Sequence, residues 1–314
     1  MGETTKIEWT DHTFNPWWGC MRVSPGCERC YAEAFAKRTG HNVWGPTEGR
    51  RLFGEQHWRE PLKWARAAAN AGERRRVFCA SMADVFEDRP ELEPERQKLW
   101  SLIRATATGC ARALVSEGCR QDAPEGLDRG ACAECGGAWA GLDWLLLTKR
   151  PANILRMAPA DVLRLVWVGT TVEDQRAANE RIPQLVQVPA AVRFLSVEPM
   201  LGPVELGLLG TLPKDLGLGY TATHQRLDWV ICGGESGPGA RTFDLAWARS
   251  LRDQCRGAGV PFFLKQLGAQ AINGSLDARI YTDRRLRLGD RKGGEPNEWP
   301  EDLRVREWPE VRHG

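Results

Sequence analysis

Histidine is scarce in this chain. It has five, His12, His41, His57, His224 and His313, and no two are spaced as a metal-binding pair. That argues against a barrel zinc hydrolase built on paired imidazoles. Long hydrophobic runs are missing too. No stretch approaches the roughly 18 apolar residues that a membrane span needs, so no membrane partner is expected. No secretory leader is visible. With ten cysteines in the chain, that points to a reducing, cytoplasmic compartment, where thiols bind metals instead of pairing. A charge excess of one sign is absent as well. The 43 Lys and Arg stand against 41 Asp and Glu, for a net charge of +2. Bulk charge therefore neither demands nor excludes nucleic acid.

What is present begins with the run NPWWGCMRVSPGCERCYA. Cys20, Cys27 and Cys30 are separated by six and then two residues, with Ser24, Pro25 and Gly26 inside the first gap. Three thiolates on one tight loop can hold three corners of a cubic 4Fe-4S cluster. Four-cysteine clusters are closed, whereas a three-cysteine cluster leaves one iron open to a ligand. That favours an enzyme over a passive electron carrier. Two other readings stand beside it: zinc with a distant fourth ligand, and unpaired core thiols.

The 314 residues, 42% hydrophobic, suffice for one large α/β domain or two ordinary ones. No repeat of fixed period is visible, but one pattern recurs. Short apolar runs end in polar residues and are followed by helix-like stretches. The runs are 76–82 (RVFCASM), 142–147 (LDWLLL), 165–168 (LVWV), 192–197 (VRFLSV), 227–232 (LDWVIC) and 260–264 (VPFFL). Continuous apolar character fits parallel strands buried on both faces. Helices are expected over 94–108, with Leu99, Leu102, Ile103 and Thr106 on one face, and over 244–257, with Asp244 as N-cap and Gly257 or Gly259 as stop. With a further strand around residues 6–9, the expected fold is α/β, a partial or full TIM-like barrel over 1–288. Its active site is expected at the C-terminal strand ends. Those ends carry Ser81, Asp84, Lys149, Arg150, Glu173, Ser196, Glu198, Glu235 and Lys265. Arg74, Arg75, Arg76, Lys149, Arg150 and Lys265 are expected to build a basic mouth, with exposed tryptophans to stack bases; the plain reading of the arginine run is a solvated face.

Two segments break the pattern. Residues 110–137 form a cysteine-rich insertion, in which Cys110, Cys119, Cys132 and Cys135 suggest a second site for zinc or another cluster. The tail 289–314 is charged, rich in Pro, Gly and Trp, and expected to be irregular.

The runs NPWWGC, SPGCERCYAEAFAKR, SMADVFED, LLTKRP, VGTTVEDQ, RFLSVEPMLGPV, DWVICGGESGPGAR and VPFFLKQLG are collinear from about residue 3 to 268. Together they resemble a phage-associated family with a three-cysteine motif, long of unknown function. That family in turn is similar to divergent radical S-adenosylmethionine (SAM) enzymes such as spore photoproduct lyase. The usual radical SAM loop has three residues in its first gap, where this chain has six, and Tyr31 follows Cys30 where that loop places its aromatic before the third cysteine. The resemblance implies a 4Fe-4S cluster on Cys20, Cys27 and Cys30, SAM on the open iron, an external one-electron reductant, and a 5′-deoxyadenosyl radical that abstracts hydrogen. It implies roles for Gly233, Gly234, Glu235, Ser196, Glu198 and Arg150 in holding SAM, and catalytic roles for Lys149, Glu235 and Cys232, the last as a hydrogen-atom donor. Beside these stand the plainer readings of a structural ion pair with a glutamate for Lys149 and, foremost for Cys232, a buried core thiol. The substrate implied is DNA or a nucleotide, in repair or base modification. The alternative is a nucleic-acid-binding protein whose cluster is structural or redox-active without SAM chemistry.

Overall fold

A computed structural model of the chain describes residue 5 and residues 7–107, 141–207, 227–274 and 285–310. The four cysteines of the insertion lie outside these residues. The described chain runs β1 (His12–Thr13), β2 (Trp17–Trp18), α1 (Tyr31–Arg38), β3 (Arg51–Leu52), α2 (Glu55–Trp58), α3 (Glu60–Ala71), β4 (Arg74–Cys79), α4 (Glu93–Ala107) and β5 (Gly141–Thr148). It continues with α5 (Ile154–Met157), α6 (Ala160–Leu163), β6 (Trp167–Thr171), α7 (Gln175–Leu185), β7 (Val192–Val197), β8 (Trp229–Gly233), β9 (Phe243–Asp244), α8 (Leu245–Ala258), β10 (Phe262–Gln266) and β11 (Ala271–Ile272).

Seven strands form one parallel sheet in the order β1-β4-β5-β6-β7-β8-β10, curled into a half-barrel. All six apolar runs supply strands of this sheet. The expected strand at 6–9 is a correction: the first strand is His12–Thr13, and Glu8 and Trp9 lie in the turn before it. Residues alternate across the sheet as the pleat requires. Phe78, Leu145, Trp167, Phe194, Trp229 and Phe263 meet on the concave face, with Trp9 among them. Val77, Leu146, Val168, Leu195, Val230 and Leu264 meet the helices on the other.

The two expected helices form. In α4, Leu99, Leu102, Ile103 and Thr106 are buried, and Thr106 Oγ1 accepts a 2.9 Å bond from Trp144 Nε1 of β5. Asp244 caps α8 by accepting from Ala246 N, and Gly259, left-handed at φ +64°, ends it. Both caps follow the chemistry of helix termini. The tail is more integrated than an irregular surface wrap. Trp299 and Leu303 are buried in the outer core, and Val305 O accepts from Leu264 N along the edge strand β10. Trp308 packs tilted against Trp229 and edge-on against Phe263, each at 5.1 Å, while the Arg76 guanidinium lies 3.8 Å over its ring. The tail thus covers an edge that would otherwise present unpaired backbone.

Candidate functional site

A cavity of about 730 Å³ opens at the C-terminal ends of the strands. Thr148 and Lys149 reach it from β5, Thr171 from β6, Ser196 and Glu198 from β7, Gly234 and Glu235 from β8, and Lys265 and Gln266 from β10. Cys20, Cys27 and Cys30 line the same cavity, all three partly exposed and free of disulfides.

The loop between Cys20 and Cys27 is fastened over the strand ends at three points. Arg150 donates to Met21 O at 2.7 Å and to Cys20 Sγ at 3.6 Å, while Asp84 holds its guanidinium at 2.8 Å. Glu173, fully buried, accepts from Gly26 N at 3.4 Å and from Arg181 at 2.8 Å. Arg241 donates to Pro25 O at 2.9 Å and grips both oxygens of Glu235. Arg241 and Arg181 escaped the sequence reading, because neither abuts a strand end. Their signal was only an arginine within reach of a noted glutamate.

These bonds sort the expected ligand residues. Glu235 is already satisfied: Arg241 closes on it with two side-chain bonds and its own backbone N–H at 2.8 Å. Burial opposes its ionisation, but the Arg241 bonds outweigh that and hold its carboxyl below the usual range. Arg150 is likewise engaged by Asp84 and the loop. Two groups remain open. Among the described residues no carboxylate lies within ion-pair reach of Lys149 Nζ, which meets only the Thr171 hydroxyl, at 3.3 Å. Glu198 Oε1 is buried without a hydrogen-bond donor. Lys265 Nζ lies 3.1 Å from it, but off the line of a hydrogen bond, so the oxygen has a counter-charge and a vacant acceptor. Ser196 donates to the other oxygen at 3.3 Å. Gly233 makes room for this carboxylate, since a Cβ there would stand 2.6 Å from Glu198 Oε1. Gly234 lies against the backbone of Leu267, where a Cβ would collide.

Cys232 is not brought to the cavity. It is fully buried on the helix-packed face, its Sγ 3.7 Å from Met200 Sδ, and burial drives its thiol well above the ordinary value. The expectation of a thiol aimed at the ligand space is therefore corrected to a core thiol. The basic mouth is corrected in part: Lys149, Arg150 and Lys265 do line the cavity, but the arginine run does not. Arg74, Arg75 and Arg76 begin β4, at the end of the sheet away from the cavity, and pair with Asp143, Glu73 and Asp11. The five tryptophans that flank the motifs, Trp17, Trp18, Trp144, Trp167 and Trp229, are all buried.

A family model described as a protein of unknown function, DUF5131, matches residues 4–117 and 137–296. The chain belongs to the DUF5131 family. In this DUF5131 member the match passes over the part of the insertion that holds Cys119, Cys132 and Cys135, while the three-cysteine loop and every strand of the sheet fall inside it. No curated protein and no solved structure matches the chain.

The donor set fits an iron–sulfur cluster in its chemistry: three soft sulfur ligands on one loop, unpaired, facing one cavity. Among the described residues no three His, Cys, Asp or Glu side chains converge as a site for a metal ion. Burial, with the Asp84 carboxylate next, pushes the Cys20 thiol up to about 12, and burial raises Cys30. Among the described residues no helix is long and apolar enough to cross a membrane.

Proposed function

We propose that this protein is an iron–sulfur enzyme of radical SAM type, with a 4Fe-4S cluster held by Cys20, Cys27 and Cys30, acting on DNA or a nucleotide. The observation that carries the reading is the shared cavity. Three free thiols of one loop face the same space as a carboxylate oxygen whose one cationic neighbour is Lys265 at 3.1 Å, and an ammonium with no carboxylate in ion-pair reach among the described residues. When bound, such a cluster supplies one-electron chemistry and one open iron for a chelating ligand.

The chain's own groups then have distinct tasks. Glu198 Oε1 accepts from the ammonium of a zwitterionic ligand such as SAM. Lys149 pairs with a carboxylate or phosphate, steadied by Thr171. Arg150, Glu173 and Arg241 fix the cysteine loop. The aromatic base of Trp9, Phe78 and Trp229 keeps water from below. Buried charge-assisted hydrogen bonds of this kind are the strong ones.

The test is anaerobic reconstitution with iron and sulfide, followed by electron paramagnetic resonance of the reduced protein with and without SAM. A 4Fe-4S signal that shifts with SAM, and is lost when Cys20, Cys27 and Cys30 are all replaced by Ala, is expected. A signal indifferent to SAM refutes the SAM chemistry and leaves a structural or redox cluster; no signal refutes both.

A further inference from the structure

The mouth of the cavity carries an exposed apolar face broken up by cations. Seven large apolar or aromatic side chains stand out as exposed among the described residues, and four of them, Met21, Val23, Tyr31 and Phe35, line this cavity. Tyr31 is 60% exposed, yet its ring is fixed: its hydroxyl donates to Ser81 O at 2.9 Å. Phe35 is braced edge-on by Trp18 at 5.8 Å. A solvent-facing aromatic held rigid is a stacking platform, because little rotamer freedom is lost when a flat ligand lands on it.

Cations alternate with these side chains. Arg22 lies between Met21 and Val23 and pairs with Glu33 at 2.6 Å, and Arg29 precedes Cys30 and Tyr31 and stands 3.9 Å from Glu235; about half of each arginine side chain is still in solvent. Lys149 and, from the tail, Lys292 also line the cavity, and neither ammonium forms an ion pair among the described residues. A protein-binding patch concentrates apolar side chains and is depleted of charge at its centre; this one interleaves the two.

We propose that the mouth binds unpaired nucleotides of a single strand, with one base stacked on Tyr31, a neighbouring base on Phe35, and flanking phosphates along Arg22, Arg29, Lys149 and Lys292. This rests on the reading of the cavity as a nucleic-acid-modifying site and narrows its substrate to a single strand. In a duplex the base faces are covered by their neighbours and cannot reach Tyr31. The cations lie on three separate segments, which suits a backbone of several phosphates better than a free nucleotide.

The experiment is fluorescence anisotropy of a labelled 12-nucleotide DNA with the full reconstituted chain, with iron content and cluster spectrum recorded on every variant. Single-stranded DNA is expected to bind with a log–log salt slope of about −3, since each neutralised phosphate contributes about −0.7. Duplex of the same sequence is expected to bind several-fold more weakly. Tyr31→Ala and Phe35→Ala are each expected to weaken binding about tenfold, the usual scale for loss of one stacked base, and Lys292→Ala to flatten the slope by about 0.7. Equal affinity for duplex, or wild-type binding in both aromatic variants with iron retained, overturns the proposal. If Tyr31→Ala loses iron because it follows Cys30, Phe35→Ala and Lys292→Ala decide. A SAM-responsive cluster without DNA binding overturns this inference alone. Single-strand binding by a chain that takes up no cluster overturns the enzymatic reading and leaves the mouth as a binding surface.

Discussion

Replacing Glu173 by Ala removes the carboxylate that ties the middle of the cysteine loop to the sheet. Glu173 is fully buried, and Arg181 is 5% exposed. After the change, Arg181 keeps Thr171 O at 2.7 Å as its remaining acceptor here, and Gly26 N loses its partner. Breaking one side of a buried pair costs about 3–5 kcal/mol, because the other charge is left desolvated. At roughly 2–4 °C per kcal/mol, Tm is expected to fall on the order of 10 °C. Thermal unfolding followed by circular dichroism, on the anaerobic protein at neutral pH, reads this directly. The double variant Glu173→Ala/Arg181→Met is expected to lose less than the sum of the single changes, since neither charge is left alone. A fall under about 3 °C, or additive losses, would refute the buried pair. Acid gives a second check. Burial opposes ionisation of Glu173, but the Ser24 hydroxyl and Arg181 outweigh it and hold the carboxyl below its ordinary value of 4.5. A lowered folded value means the stabilisation is complete above the unfolded value and is lost as pH falls through the folded one. The gap between wild type and Glu173→Gln should therefore close only on acidification below about pH 4.5.

Three further outcomes are expected. Cys232→Ala should cost on the order of 1 kcal/mol in stability and leave iron content and the SAM response intact; loss of that response at unchanged Tm would place the thiol in the cavity after all. Gly169→Ala drives a methyl into the Phe194 ring on the concave face and should destabilise by about 1–3 kcal/mol in denaturant titration, whereas a neutral result would mean the aromatic base is loose. Asp302 binds Arg249 and Arg252, whose bonds hold its carboxyl below the ordinary range. Asp302→Asn should shift global stability by less than about 1 kcal/mol yet speed hydrogen exchange at Leu303 and Val305, an effect that vanishes as wild-type Asp302 is itself protonated in acid; unchanged exchange at neutral pH would show that the tail is held elsewhere.

The strands were legible because a parallel sheet covered on both faces writes continuous apolar runs, as at 192–197, where the expected and observed bounds coincide. The same continuity hid which way each residue points. In LDWVIC every position after Asp228 is apolar and buried, so nothing in that stretch says that Ile231 faces the concave side and Cys232 the helices. The first strand was misplaced because it is a two-residue edge of polar character, His12–Thr13, while the more apolar residues before it serve the aromatic base from a turn. The polar strand ends were legible as a group, and all of them but the buried Glu173 line one cavity. Their division of labour was not: whether Glu235 is open or taken depends on Arg241, and that is a matter of how the loop folds back after β8.

The placement of Trp308 bears on how the chain is made. Trp229 sits at the centre of the concave base, flanked by Trp9 from before the first strand and by Trp308 from beyond the last. Translation delivers the first of these flanks at once and the other only after the whole sheet has emerged. Until then a nascent chain on the ribosome shows Trp229 and Phe263 uncovered on one side, and β10 has no tail along its edge. Completion of the base is thus a late event with long sequence separation, which slows folding and extends the time in which a chaperone has apolar surface to hold.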